Sequence, residues 1–589
     1  ISEEVSHPHY YAVRLPKEHL KLEVTGSSHT AIFRITPEQD SPIHIVLNHN
    51  SDEGEGYLEV DTMAKTIYGY NPVHRIYQGW GERAGIDGNY LLQAYDPIKD
   101  YGIDSLCVWL TFEGKAFEPI ILKAATSFTN KRGAENNFAF EVEGHDFESM
   151  MAQTAQQWID RLHTIDVEDP DTARVNQFYG ALYRCSFLPR EMSDVDGSYP
   201  KFADGTIMPE SPRKFYGDFS MWDTYRALHP LYTLIAPKEA GDMMQSLVTM
   251  YEEGGWLPIF PCWNSYTAAM IGDHCSAALA DAYIKGIRNF DYEKAYEAMR
   301  KNAFETPASI EEYANGMGRR ALESYLKYGY IPLEDGVREA FHQEEQTSRT
   351  LEYAFDDFAV AQLAKALGKE QDYHELMRRS ENWRNVINPK TGYCDGRHAP
   401  KQLSRKKTDG GLFENNLDFI HRKPYITEGA TCHYTWYVPQ NVEGLVEVLG
   451  GKDKFEAKLD SMFLPLPSDS SIRYWHGNEP CHQIAWLYDF FGKREKTIKQ
   501  VAHILDTEYN DTPGGLSGND DAGQMSAWYI FASMGFYPVC PATDRYMLAA
   551  PRFQKVTLNL LEDKHYTITP TSLPTDRNYI TQGEIIQGN

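Results

Sequence analysis

The sequence predicts an α+β multidomain protein: a β-sandwich over residues 1–150, a helical domain over 151–540, and strands over 541–589 that return to the sandwich. Three observations predict it. Apolar residues alternate or run in short segments between turn signals up to about residue 150; from Met150 they recur at a helical period; after Pro541 strand character returns.

In the first region the strands are Leu20–Val24, Ala31–Ile35, Ile43–Leu47 and Leu106–Phe112. The clearest helix follows from Leu351, Ala354, Phe355, Phe358, Ala359, Leu363, Ala366 and Leu367, which form one stripe that Gly368 ends. Similar stripes recur at Val175–Leu188, Trp222–Ile235, Ala268–Ile287, Tyr373–Trp383, Val438–Leu449, Gln483–Phe491, Thr497–Leu505 and Met525–Met534, with weaker ones at Tyr292–Arg300 and Arg319–Tyr328. About a dozen helices in one domain suggest pairs in an inner and an outer ring; a solenoid fits the count but no repeat supports it. The closing strands are Tyr546–Ala549, Val556–Leu560 and Tyr566–Thr569.

Composition narrows the function. A formal charge of -27 leaves no basic tract for phosphate backbones, so nucleic acid and anionic membranes are disfavoured as partners. No apolar run approaches the roughly 18 residues that would span a bilayer. The 11 Trp and 38 Tyr suit sugar rings, although core filling accounts for most of them. Eight scattered cysteines show neither zinc spacing nor the density of a disulfide scaffold, and the first residue is Ile, as expected if a leader has been removed or left out.

Four loops carry candidate chemistry. In Gly217–Arg226, Trp222 and Asp223 pair a flat surface with an acceptor for vicinal hydroxyls, or Asp223 is a helix cap or an ion partner of Arg226. In Thr427–Trp436, Tyr425, Tyr434 and Trp436 flank Glu428, and an apolar wall there would raise its pKa as a general acid needs; capping the next helix is the alternative. In Ser517–Trp528, Asp520 and Asp521 precede a helix whose N-terminus should keep them ionised, so one can act as base; ordinary acidic residues at a helix start are the alternative. In Tyr474–Pro480, Asn478 and Glu479 offer hard oxygens suited to Ca²⁺, or are the polar start of a Pro-initiated helix. A protonated and an ionised carboxyl together form the acid/base pair of glycoside hydrolysis. Nucleophile-elbow, phosphate-loop and His-Glu-x-x-His zinc motifs are absent from the sequence.

These loops, in this order, resemble glycoside hydrolase family 92, the calcium-dependent exo-acting α-mannosidases; Gly255–Trp263, Gly272–Gly286 and Ser348–Gly368 share the resemblance. It implies an N-terminal β-sandwich joined to an (α/α)6 barrel, with the active site at their interface. It implies Glu428 as general acid and Asp521 as general base, with Asp520 beside it. Trp222, Asp223, His476 and Asn519 would contact substrate, and Asn478 and Glu479 would bind Ca²⁺. The substrate implied is a terminal α-linked mannose of a glycan, cleaved with inversion, and the enzyme would be secreted or periplasmic, with the cytoplasm as the alternative. Gly477 stands where α-1,2-specific members place an acidic residue, which favours another linkage such as α-1,3. Asn519 replaces an acidic residue of many members, which argues against a second carboxylate assisting the base. Members also carry further residues ahead of Glu3–Leu15 and beyond the C-terminus, so an incomplete sandwich is expected. The competing expectations are another (α/α)6 glycosidase or phosphorylase, and a catalytically silent glycan-binding protein.

Overall fold

The structure, a computed structural model, describes residues 2–48, 54–76, 81–104, 107–336, 341–404, 407–466 and 473–589. It divides into two compact units: Ile1–His163 with Arg190–Asp218 and Trp263–Ser265, and Thr164–Pro189 with Phe219–Cys262 and Tyr266–Asn589.

The first unit is built on the alternation read from the sequence. Strand Cys107–Gly114 buries Val108, Leu110 and Phe112 and turns Trp109 outward at 40% exposure. It is the middle strand of a three-stranded sheet, between Ser41–Asn48 and Ile98–Asp104. An eight-stranded antiparallel sheet supplies the other layer. From Ser2–His7 its order runs through Tyr10–Leu15, Leu20–Gly26, Thr30–Pro37, Ile120–Ser127, Arg83–Ala94 and Thr66–His74 to Tyr57–Asp61. Ile43, Val108, Leu110 and Phe112 of the small sheet pack against Ile35, Ile67, Leu92, Ile120 and Leu122 of the large one. That is a sandwich core, and each such side chain contributes about 1.5–3 kcal/mol of burial. Leu106, the expected start of one strand, lies outside the described residues.

The expectation of sheet up to residue 150 needs correction. Helices Lys131–Glu141 and Phe147–Leu162 belong to this unit and pack Phe138, Phe147 and Met150 on Ile32 and Ala125. Their starts were written in the sequence. The Asn130 side chain accepts from the Gly133 amide, and Asp146 with Ser149 forms a reciprocal capping box.

The second unit holds the remaining helices. The expected stripes recur with shifted ends, and Gln483–Phe491 is a 3-10 helix over Ile484–Phe491. Trp222–Ile235 is two helices, Met221–Thr224 and Leu228–Ile235, because Ala227 leaves the helical region at φ -138°. Helix Pro237–Gly254 was not anticipated, although Pro237 opens it and Gly255, at φ 86°, ends it. The long helix Gln346–Ala366 departs most from expectation: Ser348, Arg349, Glu352, Asp356 and Asp357, polar residues off the stripe, are buried as deeply as the stripe itself.

The closing strands do not return to the first sheets. Lys555–Asn559 pairs with Ile165–Glu168 and His565–Ile568, while Arg545–Leu548 pairs with Phe536–Tyr537 and Tyr579–Thr581, all inside the second unit. Residues 541–589 therefore complete the helical unit. Among the described residues no helix is long and apolar enough to cross a membrane.

Candidate active site

Three of the four loops bring carboxylates to one point of the second unit. One oxygen each from Asp223, Glu479 and Asp521 lies within 4.8 Å of the others. Asp223 is placed by the short helix Met221–Thr224, where Ser220 Oγ donates to its Oδ2 at 2.6 Å. Burial holds its pKa well above the usual carboxylate range, and the charges of Asp521 and Glu428 add to the shift. Arg226 opposes that shift but stands in no ion pair with Asp223; its Nε donates to the Trp222 carbonyl at 3.0 Å.

Glu479 is 1% exposed, and its Oε1 has no partner. Burial first, then Asp223 and Asp521, push its pKa well up, and its carboxyl hydrogen-bonds Asp521. For Asp521 burial also raises the pKa, whereas that hydrogen bond lowers it. The contact thus works in opposite directions on the two carboxyls, up on Glu479 and down on Asp521.

Asp521 and Ala522 have φ of 45° and 58°, and Gly523 follows at 96°. This left-handed run reverses the chain immediately before helix Gln524–Met534, and for residues with a Cβ it costs of order 1–2 kcal/mol each. Asp520 points elsewhere: its Oδ1 accepts from the Ser526 amide at 3.0 Å and the Ser526 hydroxyl at 2.7 Å, and Arg184 Nε lies 4.0 Å from Oδ2. Asp520 thus fixes the helix start. Burial raises the pKa of both aspartates, against the direction expected of a helix N-terminus, because desolvation outweighs the few amides offered. Asn519 is exposed.

Glu428 is also left-handed, at φ 50°, and the segment before it is stitched to the start of helix Gln346–Ala366. The Thr427 amide donates to Ser348 Oγ at 2.9 Å, and the Thr347 amide to the Tyr425 carbonyl at 3.1 Å. The residue is exposed, yet the protein around its carboxyl desolvates it and raises its pKa; His342 opposes the rise and Asp521 adds to it. The predicted direction holds by a different route. Tyr434 and Trp436 are fully buried, and Tyr434 donates to Glu352, so the expected aromatic wall is core packing.

Asn478 and Glu479 bridge the loops. Asn478 Nδ2 donates to the Glu428 carbonyl at 3.4 Å, one residue before the Glu479 that bonds Asp521. His476 does not face this point. It is 1% exposed, Tyr474 and Tyr509 engage its two ring nitrogens at 2.7 and 2.6 Å, and burial keeps the ring neutral. Trp222 is 2% exposed with its Nε1 donating to Glu352 at 3.0 Å, whereas Trp475, which the sequence did not single out, is 42% exposed in the Asn478–Glu479 loop. Gly477 is a close-approach residue: an added Cβ would lie 3.0 Å from the Ser517 carbonyl, and Gly518 packs on its Cα.

The residues overlooked in the sequence are Glu352 and His274. Both sit among core helices, inside the segments Gly272–Gly286 and Ser348–Gly368 that share the family resemblance, but nothing in their own neighbourhood sets them apart.

Comparison with known proteins identifies the family. Residues 133–585 match the glycosyl hydrolase family 92 catalytic domain, and residues 1–127 match its N-terminal domain. The protein named uncharacterized secreted glycosidase of Arthroderma benhamiae is 28% identical over 480 residues, which is 76% of this chain and 55% of the relative. The chain thus spans about half the length of that curated relative. Among solved structures, the family GH92 α-mannosidase BT3965 from Bacteroides thetaiotaomicron is 30% identical with a TM-score of 0.86, covering 100% of this chain and 80% of its own. It has also been solved in complex with mannoimidazole. The family GH92 inverting mannosidase BT2199 from the same species is 28% identical with a TM-score of 0.88, covering 100% and 82%. With the family's two domains matched along nearly its whole length, the chain belongs to glycosyl hydrolase family 92.

Proposed function

We propose that this chain is an exo-acting α-mannosidase that releases terminal α-linked mannose from glycans by a single inverting displacement, with Glu428 as general acid and Asp521 as general base. The observation that carries the reading is the Asn478–Glu479 pair, which touches both carboxylate-bearing loops. Family membership supports glycoside hydrolysis, and the similar structures are named as an α-mannosidase and an inverting mannosidase.

The two carboxyls differ in access and charge. Glu428 opens to solvent, where a leaving group can extend away, and its raised pKa favours the protonated form. Burial raises the pKa of Asp521, but the contact with Glu479 lowers it and so favours the ionised form a base needs. Asp521 takes a proton from water as the water oxygen bonds to the anomeric carbon. The bond from that carbon to the glycosidic oxygen breaks, and Glu428 delivers its proton to that oxygen. Exchange with solvent then removes the proton from Asp521 and restores the one on Glu428. Attack opposite the leaving group turns an α-linkage into β-mannose.

The residues fit a divalent cation, because Glu479 Oε1 is buried without a partner among hard carboxylate oxygens. Asn478 and Glu479 would hold Ca²⁺ beside Asp223, and when bound the ion would orient vicinal sugar hydroxyls and neutralise the carboxylate cluster. Asp223 would take outer hydroxyls of the same sugar. Gly477 leaves no acidic side chain beside the site, which favours α-1,3 over α-1,2 linkages. Export is supported by the secreted relative.

The test is a proton NMR time course of α-mannoside hydrolysis with and without EDTA. First-formed β-mannose that vanishes on chelation supports the reading. First-formed α-mannose overturns inversion, full turnover in EDTA overturns the cation, and mannose affinity without product returns the chain to glycan binding alone. Parallel assays on α-1,2- and α-1,3-mannobiose decide the linkage.

A further inference from the structure

Beneath the carboxylate loops lies a second layer of charged groups that the proposed chemistry does not use. Helix Gln346–Ala366 presents Glu352 and Asp356 one turn apart, both 0% exposed, toward His274 at the start of helix His274–Ile284. The nearby buried charges are largely matched among themselves. Asp357 takes Arg319 and Arg379 at 2.6 and 2.7 Å, and Asp273 takes Arg319 at 2.9 Å and Asn302 at 3.0 Å. His274 Nδ1 is 2.8 Å from Asp356 Oδ1, and Asp356 Oδ2 accepts from the Asp273 amide at 2.8 Å.

Glu352 differs from these. Its Oε2 is 3.3 Å from His274 Nε2 but in no hydrogen bond with it. Its Oε1 instead accepts two donors from segments far apart in the sequence: Trp222 Nε1 and the Tyr434 hydroxyl, each at 3.0 Å. Trp222 is the residue before Asp223. Tyr434 closes the short helix Thr431–Tyr434 that follows Glu428. The pieces around this oxygen are rigid: Tyr225 stacks on His274 at 4.1 Å, and Arg226 lies 5.2 Å from the Trp222 ring centroid and 4.9 Å from that of Tyr225. A buried ion pair kept for stability alone would place its best hydrogen bond between the charges. Here the best bonds run to the two functional segments.

We propose that Glu352, its second oxygen 3.3 Å from His274, is a positioning residue that fixes the Trp222–Asp223 segment and the Glu428 segment against each other through one carboxylate oxygen. The assignment rests on the mannosidase reading above. Charge-assisted hydrogen bonds from an indole and a phenol to one anion are short-range and directional, so both segments inherit the location of a single atom. Losing that atom leaves both donors unpaired and lets the segments drift separately. A misplacement of about 1 Å at reacting groups costs on the order of 100-fold in rate.

The experiment compares Glu352→Leu, Glu352→Gln and Tyr434→Phe in the full chain, by thermal melting and by kcat and KM on an aryl α-mannoside well below Tm. Glutamine can keep its carbonyl oxygen on both donors, so Glu352→Gln retains kcat within about threefold of wild type, whereas Glu352→Leu loses kcat by about 100-fold and raises KM. Tyr434→Phe severs only the Glu428 side, so kcat falls with KM unchanged. A lower Tm with wild-type kcat and KM in folded Glu352→Leu overturns the positioning role, as does a Gln variant as impaired as the Leu variant. If Glu352→Leu does not fold, the kcat and KM split of Tyr434→Phe decides alone. If wild type hydrolyses no α-mannoside, the mannosidase reading fails. Glu352 is then judged by calorimetry of mannose binding: weaker binding by Glu352→Leu than by Glu352→Gln upholds it, and equal affinities overturn it.

Discussion

Replacing Glu428 with glutamine separates proton delivery from every other contribution of this residue. The side chain is exposed and makes no hydrogen bond among the described residues, and the amide is isosteric, so the left-handed backbone at φ 50° is undisturbed. Stability should change by no more than about 0.5 kcal/mol, as for other surface substitutions. Activity should not follow stability. General acid catalysis is worth about 10²–10⁴-fold, which at about 1.36 kcal/mol per decade is about 2.7–5.4 kcal/mol of barrier, and only a leaving group that needs a proton feels it. The assay is kcat/KM on methyl α-mannoside, whose leaving group is poor, and on 2,4-dinitrophenyl α-mannoside, whose leaving group departs as a stable anion. Glu428→Gln should lose the full factor on the first and less than about tenfold on the second. Equal losses on both substrates would remove Glu428 from the acid role, and a large fall in Tm would show that the side chain holds structure instead.

Burial works against a charge on His274, but Asp356 and Glu352 overcome it and hold its pKa up to about 9, above 6.5 in the unfolded chain; this stabilisation is complete below about pH 6.5, lost as pH rises through about 9, and worth about 3 kcal/mol. Denaturant midpoints at pH 6 and pH 9.5 should therefore diverge more for wild type than for His274→Gln, and parallel profiles would count against a charged His274. Burial holds the pKa of Glu479 well up, and Ca²⁺ binding should favour its ionised form, so calorimetric titration in buffers of different ionisation enthalpy should show net proton release; buffer-independent heats would contradict it. Gly477→Asp places a Cβ 3.0 Å from the Ser517 carbonyl and should cost about 1–3 kcal/mol of stability, read as a lower Tm, with an unchanged Tm as the disproof. Asp521→Asn should suppress both leaving-group classes alike, since water must be activated whatever departs, and selective loss on methyl α-mannoside would argue for an acid role instead.

The elements legible in the sequence were those whose partners are local. Alternation in Cys107–Gly114 reports which face is buried, and Asp146 with Ser149 marks a helix start within four residues. What could not be read depends on chain brought from far away. The polar side of Gln346–Ala366 looks like a solvent face until Arg319, Arg379 and His274 arrive to satisfy it. The closing strand Lys555–Asn559 pairs with Ile165–Glu168, hundreds of residues earlier, and no periodicity encodes a partner. The same division runs through the site. Asp223, Glu479 and Asp521 were each visible as polar residues in non-periodic loops, and the structure brings them together. The reasons given for them fared less well, because sequence neighbours such as Tyr434 and Trp436 point away from Glu428, and His476 spends both ring nitrogens on tyrosines.

At Gly477 and Gly518 two loops meet backbone to backbone. One loop carries Asn478 and Glu479, the other Asp521. A mutation that reshapes the first to admit a different leaving sugar will therefore displace the second, and single-site changes in specificity there will tend to degrade the base as well. Productive variation should be found in pairs, with a residue gained at 477 accompanied by compensating changes at 517 or 518. Libraries that vary both loops together should recover new specificities that either loop alone cannot reach.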